Sequence, residues 1–313
     1  MGRKDQTNLR LTIALLVCGL AVFILPDWAI FMGTLALAKG VVVIGLLVLW
    51  RTGLVSFGQA LYFGLGGYTV GLLGLRVGMS DAVLLTLLSF LLSAAVAMTL
   101  GLIISRYREI FFAMLTMAFS MILYGVLVKT EALGSTDGFN VLLPTYLGYA
   151  PEGEAQRVAL YLWSLLVAYL ASLGVHRYLR SALGNLTSAI RDNEIRVEYL
   201  GVSVQRAIYF KYVIAGALTG AGGAITAMAV GHVDPEMTYW TTSGEFVFVT
   251  ILSGTGHVVA PFVGSIIFEL VRTYAFEYAP YAWQLVLGSV LLLLIMFLPN
   301  GLWSLVTRMR KKG

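Results

Sequence analysis

The sequence predicts an all-α, polytopic membrane protein with about ten transmembrane or half-membrane helices, and three observations carry that expectation. Of 313 residues, 59% are hydrophobic and only 12% are charged, whereas a soluble domain carries about 25% charged residues. The apolar residues fall in long runs almost free of charge. Those runs approach the length of about 20 residues that a helix needs to cross the hydrocarbon core. So few charges could not cover a water-exposed surface, which excludes a soluble enzyme, a nucleic-acid-binding protein and a disulfide-stapled secreted domain. Cys18 is the single cysteine and permits no intramolecular disulfide. His176, His232 and His257 lie too far apart for metal-ligand spacing. Residues 1–313 read as one membrane domain.

In chain order, the candidate spans are 11–25, 28–49, 54–75, 82–104, 110–128, 158–176, 207–230, 243–256, 258–275 and 282–298. The first is followed at once by another span, with no small-residue cleavage site after Pro26, so it does not read as a removable signal. Segment 243–256 is short and ends in Ser253-Gly-Thr-Gly, which suits a half-helix or re-entrant segment. Such backbone survives at membrane depth only when buried in protein or lining a cavity.

Ten crossings put both termini on one side. One face then collects 16 Lys and Arg residues, including Arg51, Arg106, Arg108, Arg191, Arg196, Arg206 and Lys211. The other collects only four: Arg76, Lys129, Arg157 and Arg272. Cytoplasmic loops are rich in Lys and Arg, so both termini are expected inside.

Within the spans, Gly67 and Gly71, and later Gly216 and Gly220, are spaced for close helix approach. The bland reading is tight bundle packing; the sharper one is a pair of glycine-broken segments marking a mid-membrane pathway. Ionisable residues at depth are costly and need partners. Lys39 sits mid-span and reads either as a pathway residue or as half of a buried pair. Glu269 and Arg272 are spaced to pair on one helical face. Ser56, Gln59, Tyr62, Thr116, Ser120 and Glu245 are polar or amphipathic groups embedded in apolar spans and are the candidate path residues. Helix-to-helix hydrogen bonding is the competing role for each. No run of carboxylates is spaced for proton relay, and no selectivity-filter motif appears.

The stretch 177–211 holds nine of the 37 charged residues. Residues 192–200 read as a short amphipathic helix, with Asp192 or Asn193 as its cap and Gly201 as its stop. Leu186, Ile190, Val197 and Leu200 are expected to form one apolar stripe. Its nearly balanced charge disfavours a polybasic lipid-binding role and favours a protein partner.

Here a resemblance becomes specific. Arg180-Ser-Ala-Leu-Gly, then Ala189-Ile-Arg-Asp-Asn-Glu, then Leu200-Gly-Val resembles the cytoplasmic loop of LivM-type permeases, membrane subunits of ABC importers for branched-chain amino acids. Matching pieces occur in order elsewhere: Gly53-Leu-Val-Ser-Phe-Gly-Gln-Ala with Gly66-Gly-Tyr, Phe111-Phe-Ala-Met-Leu-Thr-Met-Ala-Phe, Thr136-Asp-Gly-Phe, Ser253-Gly-Thr-Gly with Gly264, and Leu298-Pro-Asn-Gly-Leu. The resemblance covers the chain from about residue 40 onward.

What the resemblance implies is a permease subunit with no catalytic centre and no cofactor of its own, ATP being hydrolysed by partner subunits. The implied partners are a second related permease, two ATP-binding cassette ATPases, an extracytoplasmic substrate-binding protein and the lipid of a bacterial or archaeal cytoplasmic (inner) membrane. Within the loop 177–206, the residues matching the ATPase-coupling segment are Arg191, Asp192, Asn193, Glu194, Leu200 and Gly201. The sequence departs from many importer permeases at Ile195, Arg196 and Val197, near which they carry two small alanines. Urea, short amides and aromatic acids are alternative solutes. A stand-alone ion-coupled secondary transporter or channel is the rival from another class.

Overall fold

A computed structural model describes residues 7–298 and 301–304. Its helices are α1 (Thr7–Ala21), α2 (Asp27–Trp50), α3 (Gln59–Val77), α4 (Ala82–Ile104), α5 (Glu109–Lys129), α6 (Glu154–Arg180), α7 (Ala182–Asp192), α8 (Glu194–Tyr199), α9 (Val204–Val230), α10 (Trp240–Ser253), α11 (Ala260–Tyr278) and α12 (Trp283–Phe297). Each of the ten expected segments is a helix. Six of them, α2, α3, α4, α5, α6 and α9, are long and apolar enough to cross a membrane. The other four fall short for physical reasons. Helices α1, α10 and α12 have 15, 14 and 15 residues, or about 21–23 Å at 1.5 Å per residue. Helix α11 carries Glu269, Arg272 and Glu277 along its length. The basic C-terminal residues from Arg308 onward, with Arg3 and Lys4, lie outside the described residues.

Helices α2 and α9 form the centre. From Ala36 to Leu49, α2 is buried on nearly every face, as expected of a helix that is apolar all round. It packs against α6, α9 and α11, while α9 packs in turn against α3 and α4. The α3–α9 crossing is backbone to backbone. A Cβ at Gly66 would collide with the carbonyl oxygen of Gly220, and one at Gly223 with that of Phe63. Gly66 therefore makes the close helix approach that the sequence placed at Gly67 and Gly71. Those two instead leave room for Met237 and for the ring of Phe139, which descend from the loops.

Two helices are interrupted by buried irregular backbone. The expected span 54–75 starts late, because the chain turns at Gly53 (φ +83°) and runs irregular and mostly buried until α3 begins at Gln59. Side chains satisfy the exposed backbone donors: Phe57 N donates to Thr116 Oγ1 at 3.2 Å, and Ala60 N to Ser243 Oγ at 2.8 Å. The second interruption ends α10 at Gly254 (φ +76°). Arg51 Nε donates to the carbonyl of Thr255 at 2.8 Å, joining the two breaks. At the opposite end, a two-residue antiparallel pair, β1 (Phe139–Asn140) with β2 (His232–Val233), ties the loop after α5 to the loop after α9.

Candidate functional site

Five of the six candidate path residues lie inside the bundle, four of them bonded across elements. Ser56, Gln59, Tyr62, Thr116 and Ser120 are all fully buried. Gln59 Oε1 accepts from Thr219 Oγ1 at 2.7 Å, and Tyr62 OH donates to Tyr212 OH at 2.8 Å. Ser120 Oγ donates to the Thr238 carbonyl at 2.7 Å, while Ser56 Oγ accepts from Gly58 N at 3.3 Å. Gln59 and Tyr62 thus join α3 to α9, Thr116 joins α5 to the break before α3, Ser120 joins α5 to the loop after α9, and the Ser56 bond stays within the break. Lys211, which the charge count assigned to the cytoplasmic face, is fully buried on α9, and its ammonium makes no hydrogen bond among the described residues.

Glu245 faces open space. It lines a cavity of about 560 Å³ between α2, α9, α10 and α11. Charged side chains line it, Lys39, Glu245, Glu269 and Arg272, with Asp234 and Glu236 also at its border. Apolar side chains lie among them: Leu35 one turn from Lys39 on α2, Phe246 next to Glu245 on α10, Phe276 one turn from Arg272 on α11, and Phe63 and Met237 from α3 and the loop after α9. The rings of Phe63 and Phe246 meet edge to face, 5.1 Å between centroids.

The charged lining corrects one pairing and completes another. Glu269 and Arg272 do not pair; Arg272 Nη1 instead donates to Glu245 Oε2 at 3.1 Å. Lys39 takes the carboxylate left over, with Nζ 2.5 Å from Glu269 and 3.5 Å from Glu245. The four groups thus alternate in sign as Glu269, Lys39, Glu245 and Arg272. Burial grades along this chain: the side chains of Lys39 and Glu269 are 9% and 6% exposed, those of Glu245 and Arg272 24% and 38%. The sequence could not find the exchange, because helical spacing reports only neighbours on one helix and these partners sit on three. Among the described residues no cluster of His, Cys, Asp and Glu could hold a metal ion.

The loop between α6 and α9 holds two helices rather than the single one expected at 192–200. Asp192 closes α7, and Asn193 alone opens α8, accepting from Arg196 N at 2.9 Å. Gly201 follows α8 with φ +79°, a left-handed geometry that glycine adopts without a Cβ penalty. Ile190 and Val197 are buried, and Leu186 packs against the same core. Leu200 breaks the expected stripe, since it is 75% exposed. Glu194 is turned back onto the bundle, accepting from Arg108 Nε at 2.8 Å. Arg191 packs against the Gly53 turn. Ile195 and Tyr199 join Leu200 as exposed apolar side chains, at 66% and 88%. Sequence reasoning misses both, although apolar residues four apart on a helix whose inward position is Val197 are a readable signal. Burial lowers the pKa of the nearby Arg51 guanidinium, which stays charged at neutral pH because arginine starts so high.

Against this geometry, residues 29–297 match the model of the family described as branched-chain amino acid transport system / permease component. The chain belongs to this family. Within it, the high-affinity branched-chain amino acid transport system permease protein LivM of Escherichia coli is 28% identical over 314 residues, covering 93% of this chain and 73% of that protein. LivM of Salmonella typhimurium is 27% identical over 316 residues with the same coverage. The autoinducer 2 import system permease protein LsrC of an Enterobacter species is 25% identical over 172 residues, covering 53% of this chain and 47% of LsrC. No solved structure matches the chain. Membership of this permease family agrees with the resemblance read from the ordered motifs, and with an all-α multi-pass membrane protein.

Proposed function

We propose that this chain is one of two related membrane-spanning subunits of an ATP-driven importer for branched-chain amino acids or a similar small polar solute. The match to the permease family over residues 29–297 carries the reading. On this reading the chain hydrolyses nothing and binds no cofactor. Two ATPase subunits hydrolyse ATP on the cytoplasmic side, where both termini lie, and a binding protein delivers solute to the opposite face.

The loop helices supply the mechanical link. Helix α8 offers Ile195, Tyr199 and Leu200 to a partner, while Val197 and the Arg108–Glu194 ion pair hold its other side to the bundle. An exposed apolar knob on an anchored short helix suits seating in a cleft, since buried aromatic and aliphatic anchors dominate binding energy. Of the coupling residues, Asn193 and Gly201 shape the helix ends, Glu194 and Arg191 fix the helices against the α4–α5 turn and the Gly53 turn, and Asp192 and Leu200 are exposed. Ser56, Gln59, Tyr62, Thr116 and Ser120 maintain the packed wall around the broken segment, and Glu245 meets the solute side. Closure of the ATPases would push α7 and α8 against the breaks at Gly53 and Gly254 and so alter access to the path.

Copurification tests this. A tagged chain extracted in mild detergent from its native host is expected to carry a second permease and ATPase subunits in fixed ratio. A chain that purifies alone and transports solute without ATP would overturn the reading.

A further inference from the structure

The geometry points to a zwitterion-binding site in the cavity between α2, α9, α10 and α11, taking an α-amino acid with an apolar side chain; this rests on the importer reading above. The cavity, at about 560 Å³, falls in the range of small-molecule sites, about 300–1,000 Å³. Its lining supplies both chemistries that such a solute needs, charged groups and apolar side chains carried on the same helices. Lys39 and Glu269 form the dry, close inner rung, whereas Glu245 and Arg272 form an outer rung that water reaches. A single 3.1 Å bond joins the outer pair, so it can be exchanged at modest cost.

A solute carrying one ammonium and one carboxylate can insert in that rung without leaving a charge unmatched. The Arg272 guanidinium then donates to the solute carboxylate, and Glu245 accepts from the ammonium. Lys39 Nζ, 3.5 Å from the same Glu245 oxygen, holds that carboxylate in place. Four carboxylates border the cavity (Asp234, Glu236, Glu245 and Glu269) against two cations (Lys39 and Arg272), which adds favourable potential for the ammonium end. A solute with only one of the two charges breaks the ion pair and leaves one member uncompensated, a costly state away from bulk water. The aliphatic side chain meets the apolar part of the lining, Leu35, Phe63, Met237, Phe246 and Phe276.

The test uses the intact importer, this chain with its copurified permease and ATPase partners, in nanodiscs without the binding protein. Equilibrium binding of radiolabelled L-leucine is measured in competition with leucinol, which lacks the carboxylate, and 4-methylpentanoate, which lacks the ammonium. Each analogue is expected to compete roughly tenfold or more weakly than leucine. Arg272→Gln should weaken leucine by a similar factor and lose its preference over leucinol. Glu245→Gln should lose the preference over 4-methylpentanoate instead. A merely structural pair would lower all three together. Equal competition by the analogues in the wild type overturns the proposal, as does unchanged leucine affinity in both variants; the wild-type comparison decides if a variant does not assemble. Absence of leucine binding in a complex whose ATPase still responds to loaded binding protein sinks this site but leaves the importer reading standing. Absence of any ATPase association removes the importer reading itself.

Discussion

Lys39 illustrates how much of this protein is decided one side chain at a time. An ammonium on one of the two central, most buried spans is tolerable only because α10 and α11 each present a carboxylate to it. Removing one member of a buried ion pair leaves the other charged and unpaired, at about 3–5 kcal/mol. Lys39→Met is therefore expected to lower the thermal unfolding midpoint in detergent markedly, and Lys39→Met/Glu269→Gln to recover part of the loss. Wild-type stability in the single variant would show that the pair contributes nothing. At Gly66, contact with the Gly220 carbonyl leaves no space for a methyl group. Gly66→Ala should force α3 off α9 and reduce the yield of monodisperse protein, while Gly125→Ala, which meets nothing within 4 Å, should not. The need of Lys39 for a partner was legible in the sequence, from its position mid-span. Which partners it takes was not, since they lie more than 200 residues away and the exchange with Arg272 is a property of three packed helices.

Among the elements, the long apolar helices were the most legible, because a long run without charge is stable only in lipid or deep inside a protein. Boundaries failed where backbone leaves the helix inside the bundle. Segment 54–58 is apolar enough to read as helix, yet the turn at Gly53 and the bond from Phe57 N to Thr116 hold it out of the helix. The loop between α6 and α9 was legible as helical, but one helix too few was expected in it. Asn193 (φ −165°, ψ 101°) divides it: its side chain caps one helix at the point where the other ends. Gly201→Leu and a Tyr199→Asp/Leu200→Asp pair are expected to reduce copurifying ATPase severely while membrane insertion and the detergent elution profile stay normal. The pair should cost roughly tenfold or more in association, as loss of central apolar anchors does. Undiminished ATPase recovery in both would move the docking surface off α8.

For the molecule as a whole, the decisive quantity is where charge lies rather than how little there is. Orientation makes a direct prediction. In a Cys18→Ser background, Thr136→Cys on the loop after α5 should react with a membrane-impermeant maleimide in intact cells. Tyr199→Cys should react only after permeabilisation. The reverse pattern would invert the topology and put α8 on the side away from any ATPase. The family was legible from motif order along the chain, whereas the cavity was not, because no linear pattern announces a space enclosed by four helices. Arg51 has a further consequence at this scale. Its guanidinium reaches a carbonyl just past the end of α10 from its own place at the end of α2, so the breaks near residues 53 and 254 are mechanically one joint. Bending at either would draw on the other, and a small displacement of the loop resting on Gly53 would be felt on both sides of the bundle at once.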